Sequence, residues 1–169
     1  MKRIMNFSPI PAVVLPDIFK VTPRLLRQKG VSLLLVDLDN TLALYSEDLP
    51  SERVLNWIAE QKAAGVTLCL ISNNRSHQRV KRYAEACGIS YVARAGKPNP
   101  RAMRTVMAEL GKGPEETALM GDQIFTDVLA ANRAGALSIL VRPLRMNTLF
   151  RLRYIAEQPF RALGREKIR

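Results

Sequence analysis

The sequence predicts an α/β fold in three layers, in which a parallel sheet is covered by helices on both faces. Short apolar runs alternate with segments of helical periodicity from residue 31 to residue 141, which is typical of parallel sheets. The first run, residues 31–36, shows no polar alternation, as expected for a strand buried on both faces. Glycines follow three of the helical segments, at Gly65, Gly88 and Gly135, and helices commonly end at such positions.

The predicted elements follow one another in regular order along the chain. The strands are predicted at residues 31–36, 66–71, 89–92, 117–120 and 137–141. The helices are predicted at residues 51–64, 76–86, 98–110 and 123–134. Ser51 is a suitable N-cap for the first of these helices, because its hydroxyl can accept a hydrogen bond from an N–H group of the first turn.

The excess positive charge of the chain lies at its two ends. The 169 residues carry a net charge of +11, of which residues 1–30 hold +5 and residues 142–169 hold +6. Residues 31–141 are neutral, with twelve basic and twelve acidic side chains. We therefore expect a basic, proline-containing N-terminal segment (1–30), an α/β core (31–141) and a basic helical C-terminal extension (142–169). The length fits a single domain.

The basic ends predict an anionic partner, either a membrane rich in acidic lipid or nucleic acid, although a solvated surface would have the same composition. Residues 147–163 interleave apolar and aromatic side chains with arginine. That pattern fits an amphipathic helix at a membrane surface and equally a helix packed on the sheet. No run is long enough for a transmembrane helix, and Pro11 and Pro16 interrupt the apolar N-terminal stretch. The expected location is cytoplasmic, with peripheral contact to the inner face of the membrane as an option.

Polar residues follow the ends of the predicted strands. They are Asp37 and Asp39 after the first strand, Ser72 and Asn73 after the second, Lys97 after the third, and Asp122 and Asp127 after the fourth. Ligands of such sheets bind at the carboxyl ends of the strands, and aspartate oxygens suit Mg²⁺ bound beside a phosphate. Of two neighbouring aspartates, one can attack phosphorus while the other moves the proton. The pattern therefore predicts a phosphate and Mg²⁺ site.

These residues resemble the signature of the haloacid dehalogenase superfamily of phosphohydrolases, which is D-x-D-x-T, then a Ser or Thr, a lysine and a late acidic pair. The resemblance implies a Rossmann-like fold, with Asp37 as nucleophile and Asp39 as general acid and base. It implies phosphate-binding or supporting roles for Thr41, Ser72, Asn73 and Lys97. It implies a Mg²⁺ site formed by Asp37, Asp39 through its carbonyl, and Asp122, with Asp127 as a further ligand or a supporting residue.

The longer stretches DLDNTL, SNN and GDQIFTDVLAANRAG are similar to a cap-less subgroup that includes the phosphatidylglycerophosphate phosphatase of mitochondria and its bacterial relatives. The gaps between the motifs leave no room for the cap domain with which many members cover their site. The resemblance thus implies a phosphatase for a lipid head group at a membrane. Two alternatives remain open: a phosphatase for nucleic-acid ends or phosphoproteins, and a non-catalytic module that binds RNA or the ribosome.

Overall fold

A computed structural model describes residues 6–146, 148–164 and 166–167 of the chain. The strands are β1 (Val13–Leu15), β2 (Leu33–Val36), β3 (Thr67–Ile71), β4 (Ser90–Val92), β5 (Thr117–Gly121), β6 (Leu137–Val141) and β7 (Glu166–Lys167). The α-helices are α1 (Pro23–Gln28), α2 (Glu52–Ala63), α3 (His77–Cys87), α4 (Arg101–Glu109), α5 (Leu129–Ala134) and α6 (Thr148–Ala162). Short 3₁₀-helices lie at Ile18–Lys20 and Pro114–Glu116, and a π-helix lies at Ile124–Val128.

The seven strands form one sheet in the order β4-β3-β2-β5-β6-β1-β7, and the neighbouring pairs are parallel. All four residues of β2 are buried. Leu34 and Val36 belong to one core cluster, together with residues of α1, α2 and α3, whereas Leu33 and Leu35 belong to another, together with residues of α4 and α5. Because successive side chains of a strand point to opposite faces, this division confirms the three-layer fold.

The five predicted strands are confirmed, and their ends differ from the prediction by two residues or fewer. Ser51 caps α2 by accepting a hydrogen bond from Val54 N at 3.3 Å. Gly88 and Gly135 follow α3 and α5 in the left-handed conformation, where a side chain would be strained. The helix predicted at 98–110 begins only at Arg101, because the prolines at 98 and 100 restrict the backbone before it.

Two strands lie outside the predicted core region 31–141. Residues 13–15, in the proline-containing N-terminal segment, form β1 and pair with β6 so that Val13 lies opposite Ile139. Residues 166–167 form β7 on the other side of β1. Three residues between two prolines carry too little alternation to predict a strand. The sheet therefore draws its edge from both basic ends of the chain.

The gaps between the motifs contain no further domain. Residues 42–71 contain a loop, α2 and β3, and residues 75–96 contain α3, β4 and a short loop. The predicted absence of a cap domain is therefore confirmed, and the carboxyl ends of the central strands are left open. In the described part of the chain, no helix is long and apolar enough to cross a membrane.

Candidate active site

The predicted site residues come together at the carboxyl ends of the strands. β2 lies between β3 and β5, so the residues that follow these three strands meet at the middle of the sheet edge. An open cleft of about 530 Å³ lies there. It is lined by Asp37, Asp39, Tyr45, Ser72, Asn73, Asn74, Arg75, Lys97, Gln123, Thr126 and Arg153.

Lys97 is the buried cation at the centre of the site. Its Nζ lies 2.6 Å from Oδ1 of Asp37 and 2.7 Å from Oδ1 of Asp127, and its side chain is only 2% exposed. Oxygen atoms of Asp37, Asp122 and Asp127 lie within 4.8 Å of one another. Three ionised carboxylates beside one lysine leave two negative charges without balance, which is costly in a buried place. This donor set fits a hard divalent cation.

Burial and mutual repulsion disfavour the ionised carboxylates in the metal-free site. Burial raises the pKa of Asp37 to about 7, although Lys97 acts in the opposite direction. Burial, followed by the charges of Asp127 and Asp37, raises the pKa of Asp122 well above its usual value. Burial alone would lower the pKa of Lys97, but Asp127 and Asp37 outweigh it and raise that pKa. Lys97 therefore stays charged, and protons compete with a metal for the carboxylates.

We expect the affinity for Mg²⁺ to rise with pH through about 7, because the folded-state pKa of Asp37 is about 7 and that of Asp122 is raised as well. Below that pH, the Mg²⁺ binding constant should fall about tenfold per pH unit for each proton that the metal must displace. Titration calorimetry between pH 5.5 and 8.5 measures this dependence. In the metal-free protein, the folded state holds the proton of the Asp37 carboxyl more tightly than the unfolded chain does. The free energy of unfolding should therefore fall as pH rises from about 4 to 7. Affinity that is constant across the range would contradict the expectation.

Asp39 lies beside the carboxylate cluster and has different partners. Its Oδ2 accepts a hydrogen bond from Asn74 Nδ2 at 2.8 Å, and its Oδ1 lies 3.3 Å from Nη1 of Arg79. The contact with Arg79 is a charge contact, since neither of these two atoms makes an aligned hydrogen bond. The Asp39 carboxylate is not one of the three clustered groups. Its predicted metal role through the backbone carbonyl stays a prediction.

The four predicted phosphate-binding residues occupy different positions. Ser72 lines the cleft, and its Oγ accepts a hydrogen bond from Asn74 N at 3.0 Å. Asn73 also lines the cleft and makes two reciprocal 2.8 Å bonds with the backbone of Lys97. Thr41 is buried, does not line the cleft, and donates to Oδ1 of Asp122 at 3.2 Å. Lys97 and Ser72 thus line the cleft, whereas Thr41 contacts a carboxylate. Their catalytic roles remain predictions.

Backbone contacts fix the two loops that carry the aspartates. Asn40 has a left-handed backbone with φ 64°, and its side chain accepts from Arg145 N at 2.8 Å and donates to Arg145 O at 2.9 Å. Oδ2 of Asp127 accepts from Gln123 N at 3.1 Å, while a side chain on Gly121 would overlap the Asp127 carboxylate. Asp127 therefore joins Lys97 to the loop that follows β5.

Sequence reasoning missed several residues of the site. Arg79 reaches Asp39 from the first turn of α3, and Tyr45, Arg75 and Arg153 line the cleft from three separate segments. Of these residues, only Arg79 could have been placed near the site from the sequence, because it lies three residues after the helix cap Ser76 and hence in the first turn of α3. Arg153 lies far along the chain in α6, and no spacing rule connects it to the aspartates.

The sequence model of the haloacid dehalogenase-like hydrolase family matches residues 4–135 of the chain. The chain belongs to this family. "Probable phosphatase YqeG" of Bacillus subtilis is 33% identical over 145 residues, which cover 86% of this chain and 84% of that protein. The family match and this relative confirm the predicted enzyme class, a phosphatase of the haloacid dehalogenase superfamily.

Two solved structures share the fold. NagD of E. coli K-12 superposes with a TM-score of 0.59 at 15% identity, covering 81% of this chain and 95% of that one. The 3-deoxy-D-manno-octulosonate 8-phosphate phosphatase of Moraxella catarrhalis, solved with magnesium, phosphate and KDO, gives 0.51 at 16% identity, covering 82% and 93%. At these identities the likeness concerns the fold alone, and it confirms the predicted Rossmann-like architecture.

Proposed function

We propose that this haloacid dehalogenase-like phosphatase is Mg²⁺-dependent, works through an aspartyl phosphate, and removes the phosphate of phosphatidylglycerophosphate at an anionic membrane surface. The observation that carries the chemistry is the buried cluster of Asp37, Asp122 and Asp127 around Lys97, placed at the open ends of the central strands. It joins a nucleophile, a cation site and a fixed positive charge in one cleft.

The chain's own residues supply the two steps of the hydrolysis. In the first step, an Asp37 oxygen bonds to phosphorus as the bond to the leaving oxygen breaks, and Asp39 gives its proton to that oxygen. In the second step, Asp39 takes a proton from water, the water oxygen bonds to phosphorus, and the bond to Asp37 breaks. Inorganic phosphate leaves, and both aspartates return to their starting forms. Asn74 and Arg79 orient Asp39 for both transfers.

Asp37, Asp122 and the backbone carbonyl of Asp39 would hold the Mg²⁺ ion, with Asp127 beside them. When bound, the ion supplies positive charge to the transferring phosphoryl group and offsets the crowded carboxylates. Lys97 adds a fixed positive charge against the same group, and Ser72 offers its hydroxyl from the neighbouring strand end.

The surface beside the cleft supports a lipid substrate. Leu152 and Ile155 are 65% and 63% exposed and lie three residues apart on α6, which places them on one face of the helix. Arg153 lies between them in sequence and lines the cleft. An exposed apolar face with neighbouring arginines fits the interface of an anionic bilayer. A head group standing on such a surface could enter an open cleft, since no cap encloses it.

Phosphate release from phosphatidylglycerophosphate in vesicles tests the proposal. We expect Mg²⁺-dependent release that is lost with a chelator and is faster on vesicles containing other anionic lipid than on otherwise neutral ones, because the arginines raise the local enzyme concentration. A 5′-phosphorylated oligonucleotide and a phosphopeptide serve as competing substrates. Release only from the oligonucleotide or the phosphopeptide would overturn the lipid assignment.

The double variant Leu152→Ser and Ile155→Ser separates membrane contact from chemistry. It should slow hydrolysis on vesicles and leave hydrolysis of a soluble phosphomonoester unchanged, because neither side chain lines the cleft. Equal activity of variant and wild type on vesicles would exclude the α6 face as the membrane contact.

A further inference from the structure

A buried ion pair on helix α6 is hydrogen-bonded to the loop that carries Asp122. Nη2 of Arg161 lies 2.7 Å from Oε2 of Glu157 and donates to the backbone carbonyl of Asp122 at 2.6 Å. Oε1 of Glu157 accepts a hydrogen bond from Ile124 N at 2.9 Å. Glu157 is 1% exposed and Arg161 is 8% exposed. Two charged side chains of the C-terminal helix are therefore buried against the loop after β5.

Three hydrogen bonds hold the backbone of the loop at Gln123 and at the residues on either side of it. The Asp127 carboxylate accepts from the N–H of Gln123, and the Glu157 carboxylate accepts from the N–H of Ile124. Arg161 donates to the carbonyl of Asp122. The backbone of the candidate metal ligand is thus held from two directions, by Asp127 within the site and by α6 from outside it. Buried backbone groups of this kind would be costly without partners.

Apolar and aromatic contacts hold the same helix in register with the loop. The ring of Phe160 packs edge-to-face on Phe125 with centroids 5.8 Å apart. The guanidinium of Arg161 lies 4.3 Å from the ring centre of Tyr154. The ion pair is therefore fixed by packing along α6, and a shift of the helix would move the Asp122 carbonyl with it.

The family match ends at residue 135, so α6 lies beyond the matched region and the shared motifs do not include Glu157 or Arg161. We infer that Glu157 and Arg161 are positioning residues for the metal site, which set the place of the Asp122 carboxylate through the backbone of its loop. The inference rests on the proposed use of a divalent cation by Asp37 and Asp122. It does not depend on which phosphate ester is the substrate.

The variants Glu157→Gln and Arg161→Lys test this role in the full chain. Glu157→Gln keeps the shape and an acceptor for Ile124 N but removes the charge that pairs with Arg161. We expect it to weaken Mg²⁺ binding about tenfold, since partners beyond the direct ligands typically contribute 10–100-fold. Arg161→Lys keeps the charge and should lose less affinity. Titration calorimetry with Mg²⁺, and electron paramagnetic resonance with Mn²⁺, give the affinity without any substrate.

A kinetic split distinguishes positioning from general structure. On a soluble phosphomonoester, Glu157→Gln should raise the Mg²⁺ concentration for half-maximal rate about tenfold, while kcat at saturating Mg²⁺ stays within about threefold. The matched control is Glu85→Gln, which removes the acid of the exposed i,i+4 pair between Lys81 and Glu85 on α3. It should leave Mg²⁺ affinity unchanged.

Three results would overturn the inference. Unchanged Mg²⁺ affinity in folded Glu157→Gln and Arg161→Lys would do so. A fall in the melting temperature with unchanged affinity would show a purely structural ion pair. Equal loss in the Glu85→Gln control would also contradict it. Absence of lipid hydrolysis in the wild type would instead count against the proposed substrate and leave the metal measurements intact.

Discussion

Asp37→Asn should reduce turnover by about 10⁴-fold or more, a loss typical of removing a nucleophile. An amide cannot form the aspartyl phosphate, and it is a poor replacement for a carboxylate on Mg²⁺. The fold should persist. Burial raises the pKa of Asp37 to about 7, so the ionised group is unfavourable in the metal-free site at pH 8. We therefore expect the metal-free variant to melt at a temperature no lower than that of the wild type at this pH.

The measurements are single-turnover phosphate release and thermal melting at pH 8 with a chelator. Glu85→Gln is the control, because Glu85 is exposed, pairs with Lys81 on α3 and does not line the cleft. It should retain full activity. Mg²⁺-dependent turnover that survives in pure Asp37→Asn protein would rule out Asp37 as the nucleophile.

Lys97→Met should abolish activity and also destabilise the metal-free protein. The change leaves Asp37 and Asp127 without the cation that lies 2.6 Å and 2.7 Å from them. Breaking a buried ion pair typically costs about 3–5 kcal/mol. The loss of stability should be smaller at low pH. At pH 5 the Asp37 carboxyl, whose pKa is raised already, should be protonated in the variant, so most of the stability should return on acidification.

Denaturant unfolding with a chelator at pH 5 and pH 8 measures this effect. The double variant Asp37→Asn with Lys97→Met provides the control, because removing one carboxylate should restore part of the stability at pH 8. A Lys97→Met protein as stable as the wild type at pH 8 would show that Lys97 does not balance the carboxylates.

The strand positions and the site edge could be predicted because both follow from patterns that are local in the chain. β2 is a run of four buried residues, and the aspartates follow it directly. The helix after β5 was predicted as continuous, yet it begins as a π-helix in which Leu129 N bonds to Ile124 O. Within this turn the Asp127 carboxylate accepts a hydrogen bond from Gln123 N, and such a side-chain contact leaves no mark on helical periodicity.

The motif residues of the site could be predicted from the sequence, whereas the residues that contact and orient them could not. Asp37, Asp39, Ser72, Lys97 and Asp122 each follow a strand or its loop, and strand ends can be read from the sequence. Arg79 and Glu157 act on the site across 40 and 33 residues, at Asp39 and Ile124 respectively. Their approach depends on how α3 and α6 pack. Helix α6, for which surface and packed roles had both been open, has Glu157 and Arg161 buried and Leu152 and Ile155 exposed.

The pairing of β1 with β6 and β7 has a consequence for the order in which the molecule assembles. β2 and β3 are joined through α2 alone, so they can meet early during synthesis. β1 has no neighbour until β6 is made, and the bond from Ala12 N to Ser138 Oγ spans 126 residues. Contacts of such separation require closure of a long loop and form slowly. β1 is made before the other strands of this sheet, yet it should be among the last of them to pair.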